Sequence, residues 1–520
     1  MTEKMEWLLG IDIGTTAIKV AAYTLDGRRE IVFSTKTVVK CHSYGYAEQD
    51  MNEIWNKTAN LLRILTKKIH AENIVGVGLS GQSGGLWLVD DFFNPIGNGV
   101  TWLDLRGTEI INKLNKLQIK EIYDMCGWKI FPGAGPILLK WFDIHKPEIL
   151  KKARYLLRCK DWVRLKLTNI VASDITDMIG FINPDTASYS RRVFEILSLD
   201  EYYQLLPPLK NPWELAGEIT REAAKQTGLK EDTPVVTGAY DVCQSALGAG
   251  VTTHGQLFAV IGTAGIFAAV SNIALRDPEM KVSINRHCIP ETYILNSQSM
   301  LATPNIDWFI NEFCKDLRKK FRGKNVYKLC DRLVESVKAG SGLIIYHPYL
   351  QGEMSPFMNP NARAMFFGLS LWHDRNNLLR AVYEGVGYSM LDNIVQLLRV
   401  LETSGKLEKL EEVTIIGGGS KSHVWLQILS NICGLNVKVP SGKELGCRGA
   451  AINAGVGLEV FKNHRDALMF FHNIKKVVTP NLKETQLYKK IFTIYRELYE
   501  RIWDLWNELD ELKDVISNNH

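Results

Sequence analysis

The sequence predicts an α/β protein of two domains built on mixed sheets, and three observations predict this class. The chain has 520 residues, more than one hydrophobic core usually organises, so two domains of roughly 250 residues are expected. Two distant segments, residues 8–23 and 256–268, both have the pattern of a strand, a Gly-Thr turn and a second strand. Residues 8–79 follow the order strand, strand, strand, helix, strand, which favours a mixed sheet over a plain alternation of strands and helices.

The first hairpin contains a candidate phosphate-binding turn. Gly14, Thr15 and Thr16 join two apolar strands, and the backbone amides and hydroxyls of such a turn form a donor surface that suits a polyphosphate. Asp12 stands at the end of the first buried strand, where a carboxylate is costly unless a cation or a donor meets it. The alternative interpretation is an ordinary hairpin with a capped Asp.

The second hairpin repeats this arrangement at Gly262 and Thr263. Two similar hairpins suggest two related halves that hold one phosphate chain between them. Further on, the strand at residues 413–416 opens into Gly417, Gly418 and Gly419 before a helix. Glycine lets the backbone approach a ligand closely, although a plain strand-to-helix turn has the same composition.

Two helical predictions concern longer segments. Residues 136–168 are predicted to be helical, with Lys160, Asp161 and Trp162 in the middle. After Pro480, apolar residues recur at helical spacing and predict one long helix from about residue 482. The face they define either packs on its own domain or forms a dimer zipper; its residues are Ile491, Ile494, Leu498, Ile502, Leu505, Leu509 and Leu512.

Composition excludes several classes of protein. A net charge of +5 with no basic tract argues against a nucleic-acid partner. No run approaches the ~20 apolar residues of a membrane span, and the first residues do not form a signal peptide. The nine cysteines include no CxxC pair, which argues against structural zinc and a disulfide scaffold and favours a reducing cytoplasm.

An ordered set of motifs resembles the FGGY family of carbohydrate kinases over essentially the whole chain. The motifs are residues 10–16, Trp102-Leu103-Asp104-Leu105-Arg106, Lys160-Asp161-Trp162, Gly238-Ala239-Tyr240-Asp241, the pattern from Gly368-Leu369 through Asn377-Leu378 to Ala381–Glu384, and the stretch from Gly417 to Leu435. The resemblance implies two ribonuclease-H-like (actin/hexokinase-type) domains with an interdomain cleft. It also implies ATP-dependent phosphorylation of a sugar or polyol, and a homodimer. Residues 1–247 are expected to bind the sugar and residues 248–520 the nucleotide.

The resemblance places the family's catalytic aspartate at Asp241. This residue ends a buried strand, and we expect it to hydrogen-bond the acceptor hydroxyl and take its proton. An N-cap role for the helix that follows is the simpler alternative, and it is compatible with catalysis. The chain has no GxxxxGK[ST] run, so the two Gly-Thr hairpins are expected to hold the ATP phosphates.

The remaining nucleotide and metal contacts are assigned around these hairpins. Asp12 is expected to orient Mg²⁺ through water, because Mg²⁺ keeps several waters and takes few protein ligands. The predicted phosphate donors are Gly14, Thr15, Thr16, Gly262 and Thr263. The turn at Gly417, Gly418 and Gly419 is expected to face the adenosine.

The substrate is expected to be a linear four- or five-carbon polyol or ketose. Gln82, Ser83, Asp104 and Asp241 are the predicted substrate-binding residues. Gly81-Gln82-Ser83-Gly84-Gly85 lacks the Met-His pair typical of D-xylulose kinases and resembles L-xylulose and erythritol kinases more closely. Glycerol or another ketose remains an alternative substrate.

Two other classes of protein remain open at this stage. An actin- or Hsp70-like ATPase would hydrolyse ATP without a small acceptor. A sugar-binding regulator would bind without turnover. The presence of Asp12, Asp241 and both Gly-Thr turns argues against the regulator.

Overall fold

A computed structural model describes residues 5–43, 45–320, 326–405 and 410–517. The strands are β1 Trp7–Ile13, β2 Ala17–Thr24, β3 Glu30–Lys36, β4 Glu48–Gln49, β5 Ile74–Gly81, β6 Trp87–Val89, β7 Gly99–Val100, β8 Tyr155–Leu157, β9 Ser173–Asp174, β10 Ile182–Asn183, β11 Ser188–Tyr189, β12 Leu209–Lys210, β13 Leu215–Glu218, β14 Pro234–Val236, β15 Ala239–Tyr240, β16 Leu257–Ile261, β17 Gly265–Ser271, β18 Ser283–Arg286, β19 Tyr293–Ser299, β20 Ile345–His347, β21 Met365–Phe367, β22 Glu412–Ile416, β23 Asn436–Pro440 and β24 Ile474–Val478.

The helices of the described residues are α1 Met51–Thr66, α2 Thr108–Lys113, α3 Lys116–Cys126, α4 Gly135–His145, α5 Pro147–Leu150, α6 Cys159–Thr168, α7 Arg191–Leu197, α8 Arg221–Thr227, α9 Asp241–Gly248, α10 Thr303–Phe313, α11 Lys315–Lys320, α12 Val326–Glu335, α13 Arg375–Glu402, α14 His423–Cys433, α15 Leu445–Gly457, α16 His464–Phe471, α17 Leu482–Arg501 and α18 Trp503–Ser517. Within the described ranges, no helix is both long and apolar enough to cross a membrane.

The chain divides into two compact units that are discontinuous in sequence. Unit 1 comprises Met1–Thr253, Ser271–Ile294 and Ser441–Asn473. Unit 2 comprises His254–Val270, Leu295–Pro440 and Ile474–His520. The sequence predicts one boundary after residue 247, whereas unit 1 also includes two segments that follow this position. The assignment of a function to each half of the sequence stays a prediction.

Unit 1 is built on a mixed sheet with the strand order β13-β14-β5-β1-β2-β3, and β15 also pairs with β5. β1, β2 and β3 are antiparallel, whereas β14 and β15 run parallel to β5, and β5 runs parallel to β1. Helix α1 contributes Ile54, Leu62 and Leu65 to the core beside these strands. The mixed sheet predicted from the order of strands and helices is therefore confirmed.

Helix α15 packs on β1 and β5 through a seam of glycines, and this explains why the late segment 441–473 belongs to unit 1. A Cβ atom added to Gly10 would lie 1.8 Å from the Cys447 carbonyl oxygen, and one on Gly78 would lie 1.9 Å from that of Ala450. Both distances are far below van der Waals contact. Only glycine allows the helix to approach the sheet this closely.

A chain of buried polar side chains joins α16, α15, α9 and β5. His464 Nε2 lies 2.8 Å from Asn453 Oδ1, and Asn453 Nδ2 donates to Gln244 Oε1 at 2.9 Å. Gln244 Nε2 then donates to the Leu79 carbonyl at 3.0 Å. Because Asn453 uses its nitrogen toward Gln244, its oxygen faces His464, and His464 Nε2–H is the donor in this pair.

We expect this histidine to make unit 1 sensitive to acid. Burial lowers the pKa of His464 to about 4 from its ordinary 6.5. Between these values the unfolded chain binds a proton that the folded chain does not, so unfolding becomes more favourable as the pH falls. Between pH 7 and pH 5 the wild type should lose roughly 2 kcal/mol more unfolding free energy than His464→Gln loses. Urea unfolding of both proteins at the two pH values measures this difference, and parallel losses would contradict it.

Unit 2 is built on a second mixed sheet, with the strand order β19-β17-β16-β22-β23-β24. β16 and β17 form the second Gly-Thr hairpin and are antiparallel. β22 runs parallel to both β16 and β23, and β24 closes the edge in the antiparallel direction. Each unit therefore has a mixed sheet with a strand–Gly-Thr–strand hairpin in it, as the repeat in the sequence predicts.

Two helical predictions differ from the structure. The segment 136–168 is interrupted by strand β8, so Lys160, Asp161 and Trp162 lie in the first turn of α6. The C-terminal segment forms two helices, α17 and α18, with a break at Ile502. Its buried face is largely aromatic, consisting of Tyr488, Ile491, Tyr495, Tyr499 and Trp506. Of the two roles left open for the aliphatic face, packing on its own domain does not hold for Ile494, Leu505, Leu509 and Leu512, which are about half exposed.

Candidate active site

Asp12 lies near the end of β1 with partners on both neighbouring strands. Ser80 Oγ of β5 donates to Asp12 Oδ1 at 2.7 Å. Lys19 of β2 faces Asp12 in register and places its Nζ 3.7 Å from Asp12 Oδ2 and 2.8 Å from Glu444 Oε2. Burial alone would lower the pKa of Lys19, but the charges of Asp12 and Glu444 raise it above its ordinary value. The carboxylate at position 12 therefore meets both a hydrogen-bond donor and a positively charged side chain.

Asp241 is the first residue of α9, directly after β15. The Tyr240 amide that precedes it donates to Thr176 Oγ1 at 3.0 Å, which fixes the entry to the helix. Burial raises the pKa of Asp241 well above its usual value, and the charges of Asp12 and Asp177 raise it further. A carboxylate with a raised pKa is a stronger base than an ordinary Asp.

Strand register brings Asp12 and Asp241 to the same end of the strands in the unit 1 sheet. Asp12 pairs with Ser80 on one side of β5, and Ala239 pairs with Ser80 on the other side. The two acids therefore flank the end of β5, and two strand spacings separate their strands by roughly 10 Å. This arrangement follows from β15 adding to β5, which local sequence patterns do not reveal.

The Thr15 hydroxyl lies between two predicted parts of the site. It donates to Gln82 Oε1 at 2.6 Å and accepts from Trp102 Nε1 at 2.9 Å. The Gln82 amide nitrogen in turn donates to Gln49 Oε1 at 2.6 Å. Thr15 and Gln82 are thus brought together, with their side chains bonded to each other, whereas Thr16 is exposed.

Ser83 and Asp104, two of the predicted substrate-binding residues, are both buried. Ser83 Oγ donates to the Asp177 carbonyl at 2.7 Å. Asp104 accepts from the Ala47 amide at 2.8 Å and from Arg106 Nε at 2.8 Å, and it has no exposed surface. Gln82, Ser83 and Asp104 each already have an intramolecular partner for the side chain. Their roles as direct substrate contacts stay predictions.

Sequence reasoning missed a buried ionic cluster next to this region. Lys160 Nζ lies 2.7 Å from Asp161, 2.6 Å from Asp174 and 3.1 Å from Asp177, and all four side chains are fully buried. Burial alone would lower the pKa of Lys160, but the three carboxylates raise it. Burial raises the pKa of Asp177 to about 6. The sequence signal for this cluster was the pair of acids Asp174 and Asp177. It indicates a buried ionic cluster only when their contact with Lys160 is known.

The second Gly-Thr turn, in unit 2, is held by the start of α10. The Ala302 amide donates to the Thr263 carbonyl at 2.9 Å. The Thr303 amide and hydroxyl both donate to the Gly262 carbonyl, at 3.0 and 2.8 Å. The Thr263 side chain remains exposed. The turn is therefore fixed through its carbonyls.

The glycine turn after β22 lies beside the same hairpin of unit 2. Val260 of β16 pairs with Ile416, so both turns follow the same edge of the sheet. Gly417 has φ +93°, and an added Cβ would lie 2.6 Å from the Ile261 carbonyl oxygen. Glycine is required there for backbone reasons. A Cβ on Gly418 would meet no atom within 4 Å, so that residue borders open space.

Within the described ranges, no three or more His, Cys, Asp or Glu side chains form a group that could hold a metal ion. Asp12 is a single, partly exposed carboxylate. One carboxylate fits Mg²⁺, which usually keeps several waters and takes its other ligands from phosphates.

Curated relatives cover nearly the whole chain. It is 29% identical over 517 residues to the xylulose kinase of Staphylococcus epidermidis, covering 97% of this chain and 98% of the relative. It is 29% identical over 499 residues to the L-xylulose/3-keto-L-gulonate kinase of Escherichia coli, covering 95% and 96%. It is 28% identical over 528 residues to the erythritol kinase of Brucella abortus, covering 98% and 99%.

Solved structures share the fold. A gluconate kinase from Lactobacillus acidophilus superposes with a TM-score of 0.89 at 23% identity, covering 97% of this chain and all of the other. A ligand-bound xylulose kinase from the same organism gives 0.88 at 23% identity, with the same coverage. The architecture of two α/β units is thus that of the two-domain carbohydrate kinases, and the predicted fold class is confirmed.

Two family descriptions match the sequence in order. The N-terminal domain of the FGGY family of carbohydrate kinases matches residues 7–248, and the C-terminal domain of that family matches residues 257–458. The chain belongs to the FGGY family of carbohydrate kinases. It is therefore a phosphotransferase that uses ATP and acts on a small sugar or polyol, as the resemblance predicted.

Proposed function

We propose that this kinase transfers the γ-phosphoryl group of ATP to a hydroxyl of a linear pentulose such as xylulose or a tetritol such as erythritol, with Asp241 as the general base. One observation carries the proposal: Asp241 begins α9 at the end of the strands where Asp12 also lies. Burial and the charge of Asp12 raise the pKa of Asp241. In this mechanism the acceptor oxygen bonds to the γ-phosphorus, its proton passes to Asp241, and ADP leaves.

We assign the nucleotide contacts to three turns of the chain. We assign the first Gly-Thr turn (Gly14, Thr15 and Thr16) and the second (Gly262 and Thr263) to the phosphates. The Thr15 hydroxyl already joins Gln82 and Trp102, so the backbone of that turn and the exposed Thr16 and Thr263 are the better phosphate donors. The turn at Gly417–Gly419 is assigned to the adenosine.

Mg²⁺ is assigned to Asp12. When bound, it would neutralise charge on the phosphates and align them for transfer. Ser80 holds one Asp12 oxygen, and Lys19 lies near the other. Asp12 is thereby oriented before the nucleotide arrives.

The acceptor class is assigned from relatives and from the substrate region together. The named relatives act on xylulose, on L-xylulose and 3-keto-L-gulonate, and on erythritol, at similar identities. The intramolecular partners of Gln82, Ser83 and Asp104 suggest that they shape the acceptor site, while Asp241 contacts the reacting hydroxyl. A site built from such polar groups discriminates strongly between acceptors that differ by one hydroxyl.

A coupled ADP-release assay over pentuloses, tetritols, pentitols and glycerol, with a no-acceptor control, tests this proposal. Acceptor-dependent ADP release with a pentulose or tetritol is expected. ADP release that is independent of any acceptor would favour an actin- or Hsp70-like ATPase. Tight binding of a sugar without turnover would favour a regulatory protein.

We also propose a homodimer formed through the exposed aliphatic face of α17 and α18, which consists of Ile494, Leu505, Leu509 and Leu512. Antiparallel pairing of two copies would set the basic Lys489 and Lys490 of α17 against the acidic Asp504, Glu508 and Glu511 of α18. This charge pattern is self-complementary and fits a second copy of the chain.

Light scattering tests the dimer. The wild type is expected at twice the chain mass of 58.8 kDa, and the double variant Leu505→Glu with Leu509→Glu is expected at the monomer mass. Leu482→Glu, at a more exposed leucine of α17 outside this face, is the control and should stay dimeric. A double variant that stays dimeric would show that the interface lies elsewhere, as at the exposed Leu369, Leu371 and Trp372.

A cytoplasmic location is part of the same proposal. All nine cysteines are free thiols, and seven of them are buried. Free buried thiols persist in a reducing compartment.

A further inference from the structure

Glu353 is a fully enclosed carboxyl group in unit 2 that the proposed reaction does not use. Its side chain is 3% exposed. Its Oε1 accepts from the Met300 amide at 2.9 Å and from the Met354 amide at 2.8 Å, and the Ser355 amide also bonds to it. Several backbone donors thus converge on one side chain.

The Met300 contact leads directly to the second Gly-Thr turn. Met300 follows β19, and Ala302 and Thr303 follow Met300 two and three residues later. Ala302 and Thr303 are the residues that donate to the Thr263 and Gly262 carbonyls. Glu353 therefore anchors one end of a short segment whose other end fixes the turn.

The carboxyl group acts in this chain mainly as an acceptor. Burial, opposed by the backbone donors, raises the pKa of Glu353 to about 8. The protonated and the ionised carboxyl group both keep an acceptor oxygen, and the amide of glutamine has nearly the same shape and acceptor oxygen. A methionine has similar length and no comparable acceptor.

We propose that Glu353 is a positioning residue for ATP: through Met300, Ala302 and Thr303 it holds the Gly262–Thr263 turn in the conformation that binds the phosphates. The inference rests on the proposed phosphate role of this turn. Without the anchor, the turn would have to be ordered by the nucleotide itself, and affinity would fall by the cost of that ordering.

Glu353→Met is the direct test. It removes the acceptor for three backbone amides, and we expect the KM and the dissociation constant for ATP to rise about tenfold or more. The KM for the acceptor should stay within about twofold, because we assign acceptor binding to unit 1. Glu353→Gln keeps the acceptor oxygen and should restore ATP affinity to within about threefold of the wild type.

A second variant tests the other end of the segment. Thr303→Val keeps the side-chain shape but removes the hydroxyl that donates to Gly262, and it should weaken ATP binding in the same direction. The matched control is Glu384→Gln, another buried carboxylate of unit 2, which accepts from the Gly340 amide and binds Arg380 and Tyr488. It should lower thermal stability while leaving ATP affinity unchanged.

Calorimetric titration with a non-hydrolysable ATP analogue reads affinity without any acceptor. Failure of the acceptor screen would therefore overturn the proposed reaction and leave this test intact. Wild-type ATP affinity in folded Glu353→Met would overturn the positioning role, as would equal rises in KM for ATP and acceptor. Should Glu353→Met fail to fold, Thr303→Val decides, and unchanged affinity there overturns the role.

Discussion

Replacing Asp241 by alanine is expected to abolish phosphoryl transfer while leaving nucleotide binding nearly intact. Without a positioned base the acceptor hydroxyl keeps its proton as it attacks, and loss of general-base catalysis typically lowers kcat about 10²- to 10⁴-fold. ATP affinity should change less than about twofold, because the phosphates are assigned to the Gly-Thr turns. The coupled ADP-release assay measures kcat, and calorimetry measures ATP binding.

Asp241→Asn separates charge from shape in this prediction. The amide fills the same volume at the start of α9 and accepts a hydrogen bond, yet it cannot take a proton. We expect it to be as inactive as the alanine variant. Transfer at near wild-type rate in either variant would show that another group acts as the base.

Replacing Lys160 by methionine is expected to have the largest effect on stability. Its ammonium group lies within 3.1 Å of three carboxylates that have no exposed surface. Methionine matches the length of the side chain but leaves those acids without their shared cation. Removing one partner of a buried ionic group costs about 3–5 kcal/mol of unfolding free energy. Urea unfolding at pH 7 measures the loss.

The same substitution at Lys166 is the matched control, since this residue lies on the same helix, α6. Lys166 is partly exposed and only approaches the rings of Trp55 and Trp162, at 5.9 and 5.5 Å. Its loss should cost about 1 kcal/mol or less. Adding Asp177→Asn to Lys160→Met should recover part of the stability, because one uncompensated acid is removed. Equal losses for Lys160→Met and Lys166→Met would contradict the buried cluster.

Features encoded within one short stretch could be predicted from the sequence. The two Gly-Thr hairpins, the strand before Asp241 and the glycine turn at residue 417 each depend on a few neighbouring residues and on backbone preferences. Their strands appear in the structure as β1 with β2, β16 with β17, β15 and β22. The mixed sheets followed from the order of these pieces.

Features that depend on distant partners could not be predicted in this way. Cys447 Sγ donates to the Lys19 carbonyl across 428 positions, and no local pattern indicates that α15 lies against the first hairpin. The C-terminal helices gave a misleading pattern for a different reason. Leucine and isoleucine define the most regular face of these helices, yet their buried positions are mostly tyrosine and tryptophan, because aromatic rings bury more surface per residue.

The candidate site was predicted in part for the same reasons. Asp12 and Asp241 lie at strand ends, and acidic residues at such positions indicated metal-binding and catalytic roles. The partners of Gln82, Ser83 and Asp104 come from other segments, at Gln49, Asp177 and Ala47. Their burial therefore became visible only in the fold.

The glycine seam between α15 and the first strands has a consequence for biosynthesis. β1 and β5 leave the ribosome early, whereas the helix that covers them is translated only after residue 444. Until then the apolar surface of these strands lacks its native cover and is open to chaperones or to improper association. Unit 1 is thus completed only after most of the segments of unit 2 have been translated.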